Sequence, residues 1–157
     1  GVPYRITLYG TAQALIQTVT GTLDLPPGAT QPVYVSGVVS GKQVVAGAFL
    51  SIDASAPQWF SMTANPRTIP SVSDAKQTGT ASAPRVEAIL VNSGTASLSN
   101  VPVIVMVYDA HGGIIAASRT LVSTIPAQGR ATAIFTWNDA FSDTAASIKV
   151  VPIVPLP

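Results

Sequence analysis

Few residues in this chain have the types and spacing to do chemistry, and each stands nearly alone. His111 is the only histidine. It lies in Asp109-Ala110-His111-Gly112-Gly113, where an acid near an imidazole raises proton transfer or metal binding. A zinc site takes about three or four protein ligands. With no cysteine and one histidine, carboxylates would have to supply the rest, and none but Asp109 is close in sequence. A turn residue is the expected role. The stretch Trp137-Asn138-Asp139-Ala140-Phe141-Ser142-Asp143 gathers oxygens of the kind that calcium takes, roughly six to eight at a time. It lacks EF-hand spacing, and the whole chain holds only seven carboxylates, so a capped turn is the expected reading.

Serine and threonine are abundant, but a nucleophile needs a base and an orienting acid beside it. There is no G-x-S-x-G elbow, and "GVVSGKQ" has the wrong spacing for a phosphate loop. Asn92-Ser93-Gly94 fails as an N-glycosylation acceptor; the Ser/Thr/Pro-rich stretch leaves O-linked sugar open. Trp59 and Trp137 have the rings to stack on a sugar, which keeps carbohydrate a weak candidate partner. Packing is the commoner use of such residues. The expectation is a non-enzymatic protein with no catalytic residue, no metal site and no cofactor.

Composition narrows the class. The chain has 157 residues, 47% hydrophobic and only 10% charged, with a formal net charge of +1. Such a chain is too apolar for disorder. Its eight Lys and Arg are scattered singly, without the basic stripe that nucleic acid requires. No stretch approaches the roughly 18 apolar residues of a membrane helix. Low charge gives little mutual repulsion, which favours association with like chains. The absence of cysteine excludes a disulfide framework without settling the compartment. The abundance of Ser, Thr, Ala, Val and Pro suggests an exported, extracellular or cell-surface protein. Gly1 in place of Met implies processing or a longer natural chain.

The periodicity is that of strands. Tyr4, Ile6 and Leu8 alternate with Arg5, Thr7 and Tyr9. Further short runs rich in β-branched or aromatic residues are separated by Gly, Pro, Asn and Asp. Only "DAFSDTAAS" has room for a turn of helix. The pattern predicts an all-β, antiparallel, immunoglobulin-like sandwich.

The chain also repeats itself. Val2, Pro3, Tyr9, Ile16 and Pro27 recur 99 residues on as Val101, Pro102, Tyr108, Ile115 and Pro126. This predicts a tandem duplication. The organisation expected is an incomplete copy over 1–53, a Ser/Thr/Pro-rich connecting segment over 54–80 and a near-complete copy over 81–157. The first copy offers four strands, Val2–Tyr9, Leu15–Leu25, Thr30–Val39 and Gln43–Ile52. It lacks the two that open a full sandwich. The second offers six or seven strands between Pro84 and Pro155. In the connecting segment Trp59, Phe60 and Met62 form an apolar knot, expected to pack along a domain rather than stay in water.

The strand–turn–strand Val105-Met106-Val107-Tyr108-Asp109, with the Pro126–Gly129 turn downstream, resembles the FxLYD family of extracytoplasmic modules; Ile6-Thr7-Leu8-Tyr9-Gly10 is the weaker counterpart. The resemblance implies a small tandem β-sandwich, used as a spacer, adhesin or assembly unit, with no catalytic residues. Independently of it, a sandwich short of two strands exposes a groove and open edges. Residues preceding Gly1, a segment of this chain such as 54–80 or the tail, or a neighbouring subunit would fill the gap. The tail supplies the assembly candidates Ile148, Val150, Val151, Ile153, Val154 and Leu156. Two functions follow as expectations. One is a secreted subunit that self-assembles into a filament or surface layer by strand addition. The other is a monomeric spacer, ligand-binding or adhesion module of a larger surface protein.

Overall fold

The computed structural model describes residues 1–25, 30–38, 43–53, 55, 57 and 68–153. The chain divides into two compact units, Gly1–Ala64 and Asn65–Pro157. Every strand pairing in both is antiparallel.

The first unit holds one three-stranded sheet. Its strands are β1 (Val2–Tyr9), β2 (Leu15–Leu23) and β3 (Gly47–Ile52), in the order β2-β1-β3. The turn from β1 to β2 places two non-glycine residues, Ala12 and Gln13, in the left-handed region at φ 58° and 57°. Alternation puts Val2, Tyr4, Ile6 and Leu8 on one face of β1, opposite Leu23, Gly21, Val19 and Gln17 of β2. The Tyr4 ring lies over Gly21, where an added Cβ would meet it at 2.5 Å. An aromatic covering a strand glycine in this way restores packing that the glycine cannot provide.

The second unit is a two-layer sandwich. β4 (Ser71–Gly79), β5 (Pro84–Val91) and β8 (Arg130–Thr136) form one sheet in the order β4-β5-β8. β6 (Leu98–Tyr108), β7 (Ile114–Ile125) and β9 (Ser147–Pro152) form the other in the order β7-β6-β9. The inward positions interdigitate in one cluster: Val86, Ala88 and Leu90 of β5, Ala133 and Phe135 of β8, Val101, Val103, Val105 and Val107 of β6, and Val122 and Ile125 of β7. Each valine, leucine, isoleucine or phenylalanine among them contributes about 1.5–3 kcal/mol when fully buried.

Asn92 is wholly buried, and it locks one end of this sandwich. Its Nδ2 donates to the carbonyls of Ala96 at 2.8 Å and Pro126 at 3.0 Å, and its Oδ1 accepts from the Gly94 amide at 2.9 Å. The Asn92 and Gln128 amides donate to the Gly129 and Gly94 carbonyls. One amide side chain thereby ties the β5–β6 loop to the β7–β8 turn.

The all-β expectation is met, with local departures. Ser71–Gly79, read as part of the connecting segment, is strand β4. A bulge between Val72 and Asp74 shifts its register against β5, so Val72 and Ala75 both pack on the core although they stand three positions apart, an offset that would put them on opposite faces of an unbroken strand. That break hides the period of two. The segment "DAFSDTAAS" forms no helix, and β2 ends at Leu23 rather than Leu25. Residues 30–38 form no strand. By the 99-residue offset their counterpart is β8, whose ladder partner is β5. No strand among the described residues of the first unit plays the part of β5, and a strand without a ladder leaves its backbone groups unpaired.

Two substitutions test this packing. Phe135→Ala should cost the second unit about 3–5 kcal/mol, the usual range for emptying a buried aromatic site. Asn92→Ala, which strips partners from buried backbone groups, should cost about 3 kcal/mol. Both are measured by urea denaturation, and an Asn92→Ala loss below about 1 kcal/mol would remove the lock from the account.

Candidate assembly site

The sheet β2-β1-β3 and the sheet β7-β6-β9 are the same object built twice. Val2 pairs with Leu23, and Val101, 99 residues on, pairs with Val122. Leu8 pairs with Gln17 and Val107 with Ala116. The register then shifts at the same step in both, so that Tyr9 meets Leu15 and Tyr108 meets Ile114. The third strands follow at an offset of 100: Tyr9 faces Gly47 and Tyr108 faces Ser147, while Tyr4 faces Ile52 and Val103 faces Pro152. Hydrogen bonds beyond the ladders repeat too. The Gly10 amide donates to Ala14 at 2.8 Å, and the Asp109 amide to Gly113 at 2.9 Å. The Asp53 amide donates to the Pro3 carbonyl at 2.9 Å, and the Ile153 amide to that of Pro102 at 2.7 Å.

What covers the two sheets differs. On β6 the inward valines are sealed by the β4-β5-β8 layer, and Ile148 and Val150 of β9 pack against the same core. On the equivalent face of the first unit, Val2, Tyr4 and Ile6 are only half-buried, and among the described residues Leu8 and Leu23 alone are buried hydrophobics. Leu50, the counterpart of Val150, is 57% exposed, and Ile52 is 50% exposed. On the opposite face of β3, Phe49 is 69% exposed, held edge-to-face by Tyr9 with ring centroids 5.8 Å apart.

The sheet edges differ in the same sense. In the second unit every edge strand carries a charge: Asp74 and Lys76 on β4, which is also bulged, Arg130 on β8, Arg119 on β7, and Lys149 with Pro152 on β9. Charge, proline and bulges are how folded proteins keep edges from pairing with other chains. Edge strands β2 and β3 of the first unit carry neither charge nor proline. Directly after β3, the Ser55 hydroxyl and amide both donate to the Asp53 carboxylate and hold it below the usual carboxylate range, so this acid is charged at neutral pH one residue beyond the strand's end.

The sequence-predicted residues fall in several places. Ile148, Val150 and Val151 belong to β9 and pair with β6, and Ile153 is tied to Pro102, so these four are engaged within their own unit. Val154 and Leu156 lie outside the described residues, as do Trp59, Phe60 and Met62. Trp137 packs against the second unit's core, edge-to-face with Phe141 at 5.1 Å, and its indole N–H donates to the Ala117 carbonyl. The Asp109 carboxylate accepts the amides of His111 and Gly113, each at 2.8 Å, and Gly112 supplies the positive φ of 82° that this turn requires. Asp143 accepts the Thr144 amide. Among the described residues no three His, Asp or Glu side chains gather into a metal cluster. No helix among them is long and apolar enough to cross a membrane. A concavity of about 560 Å³ in the first unit is lined by Tyr9, Gly10, Thr11, Ala12, Gln13, Ala46, Gly47 and Phe49, and none of these is an acidic or basic residue.

Sequence reasoning did not single out Phe49, Leu50 or Ile52. The signal for them was present: aligning β3 with β9 shows a Phe and an Ile where the protected copy has Lys149 and Pro152. Comparison with protein-family models and with curated proteins gives no match. The internal repeat is therefore the comparison that the chain itself supplies.

The turn reading of Asp109 and His111 has a direct check. Asp109→Ala removes two turn hydrogen bonds and should cost about 1–2 kcal/mol, whereas His111→Ala should cost less than about 0.5. Thermal melts of the two variants distinguish a turn from a functional imidazole: a large loss in the histidine variant would contradict the assignment.

Proposed function

We propose that this chain is a non-enzymatic, secreted structural protein of the cell surface that self-assembles, as a filament or surface layer, through β-strand addition to its first unit. One observation carries the reading. The same three-stranded sheet occurs twice with one register, sealed by a second layer in one copy and left with exposed Leu50 and Ile52 in the other. Apolar surface in water costs about 25 cal/mol per Å². Covering it from a neighbouring subunit gives association a hydrophobic drive, and unpaired strand edges give it direction. The low charge of the chain adds little repulsion between copies. The FxLYD resemblance, a module type used for spacing, adhesion and assembly at cell surfaces, points to the same compartment.

A second reading is a monomeric binding or adhesion module, and the concavity beside Tyr9 and Phe49 favours it. Native molar mass by light scattering separates the two. The assembly reading expects a mass well above 16.1 kDa that falls with denaturant. A concentration-independent mass of 16.1 kDa would overturn it in favour of the monomeric module.

A further inference from the structure

Resting on the self-assembly reading, we infer that strand β3 is the pairing edge, and that its occupant is β3 of a second copy of this chain, joined antiparallel so that sheet β2-β1-β3 runs on into its twin. β3 reads Gly47-Ala48-Phe49-Leu50-Ser51-Ile52. Its last five residues are all exposed. Apolar side chains project from both faces, Phe49 on one and Leu50 with Ile52 on the other. A short strand of this kind, uncharged and free of proline, is a template for another strand.

The backbone is available as well as the side chains. The Asp53 amide donates to Pro3 across the β1–β3 ladder. Amides alternate in direction along a strand, so the Ile52 amide points to the edge of β3 that no described strand pairs. At the same place in the second unit stands Pro152, beside Ile153 whose amide donates to Pro102. A proline there has no outward N–H to offer. Phe49 likewise stands where β9 has Lys149. The fold therefore accepts a lysine and a proline at these two positions, and the first unit carries residues there that invite pairing.

The occupant follows from the rest of the chain. Every edge strand described in the second unit carries charge, so among the described strands a second copy can offer only β2 or β3 without bringing an ion into the contact. The side chains that β2 exposes are Leu15 at its first position and then Thr18, Thr20 and Thr22, whereas β3 exposes Phe49, Leu50 and Ile52. Only β3 against β3 matches apolar surface to apolar surface on both faces, with no like charges opposed.

The test transplants the second unit's protection onto the first. Phe49→Lys with Ile52→Pro copies Lys149 and Pro152 into β3 of the full chain. Thr20→Arg copies Arg119 into β2 as a control. Native mass by light scattering should fall at least twofold in the double variant and stay unchanged in the control, with the far-UV circular dichroism of both like the wild type. If the wild type is assembled and the double variant keeps its mass, β3 is not the edge, while the self-assembly reading stands. If Thr20→Arg alone lowers the mass, the edge is β2 and this inference fails. A wild type that is monomeric at all concentrations sinks both readings. Should the double variant lose its β-sheet signal, Phe49→Lys alone serves. It leaves every backbone donor in place, and an unchanged mass there overturns the inference equally.

Discussion

A sheet with one apolar face cannot end at that face. Its side chains need a second layer, and its outer strands need either ladder partners or a deterrent to pairing. The rest of this structure depends on how that constraint is met. In the second unit it is met internally. β5 lays Val86, Ala88 and Leu90 against the valines of β6, β8 adds Ala133 and Phe135, and these inward side chains are all buried. Asn92 then secures the loops that let the chain pass between layers. A buried amide with all its partners rigidifies such a crossing, and the same amide without them would be a liability.

In the first unit the same sheet is present and the second layer is not found among the described residues. The repeat makes this more than an impression of loose packing. Strand order, register, the shift after the eighth residue of the N-terminal copy and the bonds flanking the ladders all recur, so the differences between the copies are differences in what each strand meets. Residues 30–38 show the consequence. By the 99-residue offset they are the counterpart of β8 and read as a strand in sequence, yet they form none, because β8 is a strand by virtue of β5. Strand propensity is largely fitness for a half-buried pleated surface, and it lapses where no such surface is offered.

That dependence also marks how far the sequence could be read. Alternation and turn chemistry gave β1, β2, β5 and the β6–β7 hairpin, because in each the period of two runs unbroken or the turn residues are unmistakable. The turn at Asp109–Gly113 was legible down to the accepting carboxylate. β4 was not, since its bulge displaces the inward residues and Ser, Asp, Lys and Gln fill the rest. Asn92 was invisible for a different reason. In sequence it is one more polar residue in a turn, and only the convergence of the Ala96, Pro126 and Gly94 backbones makes it a lock. The open face was legible as an expectation because it is a matter of counting strands. The choice of edge was not, because it depends on pairing β3 with β9 at an offset of 100 while the rest of the repeat runs at 99.

That last detail bears on why the two copies have diverged where they have. A duplicated sheet would be expected to keep its core and drift on its edges, since cores tolerate little change and surfaces much. Here the edges have not drifted at random. Lys149 and Pro152 answer to Phe49 and Ile52, and Arg119 answers to Thr20, so at each of these positions the first unit lacks a feature that deters pairing. The charged residues show the same bias: the three-stranded sheet of the first unit carries only Arg5, and it lies on the central strand, where it guards no edge. A free monomer gains nothing from an unguarded edge and bears the risk of aggregation. A subunit that must find its neighbour needs bare edges on one sheet and guarded edges elsewhere, and the first unit's edges β2 and β3 are bare while those of the second are guarded.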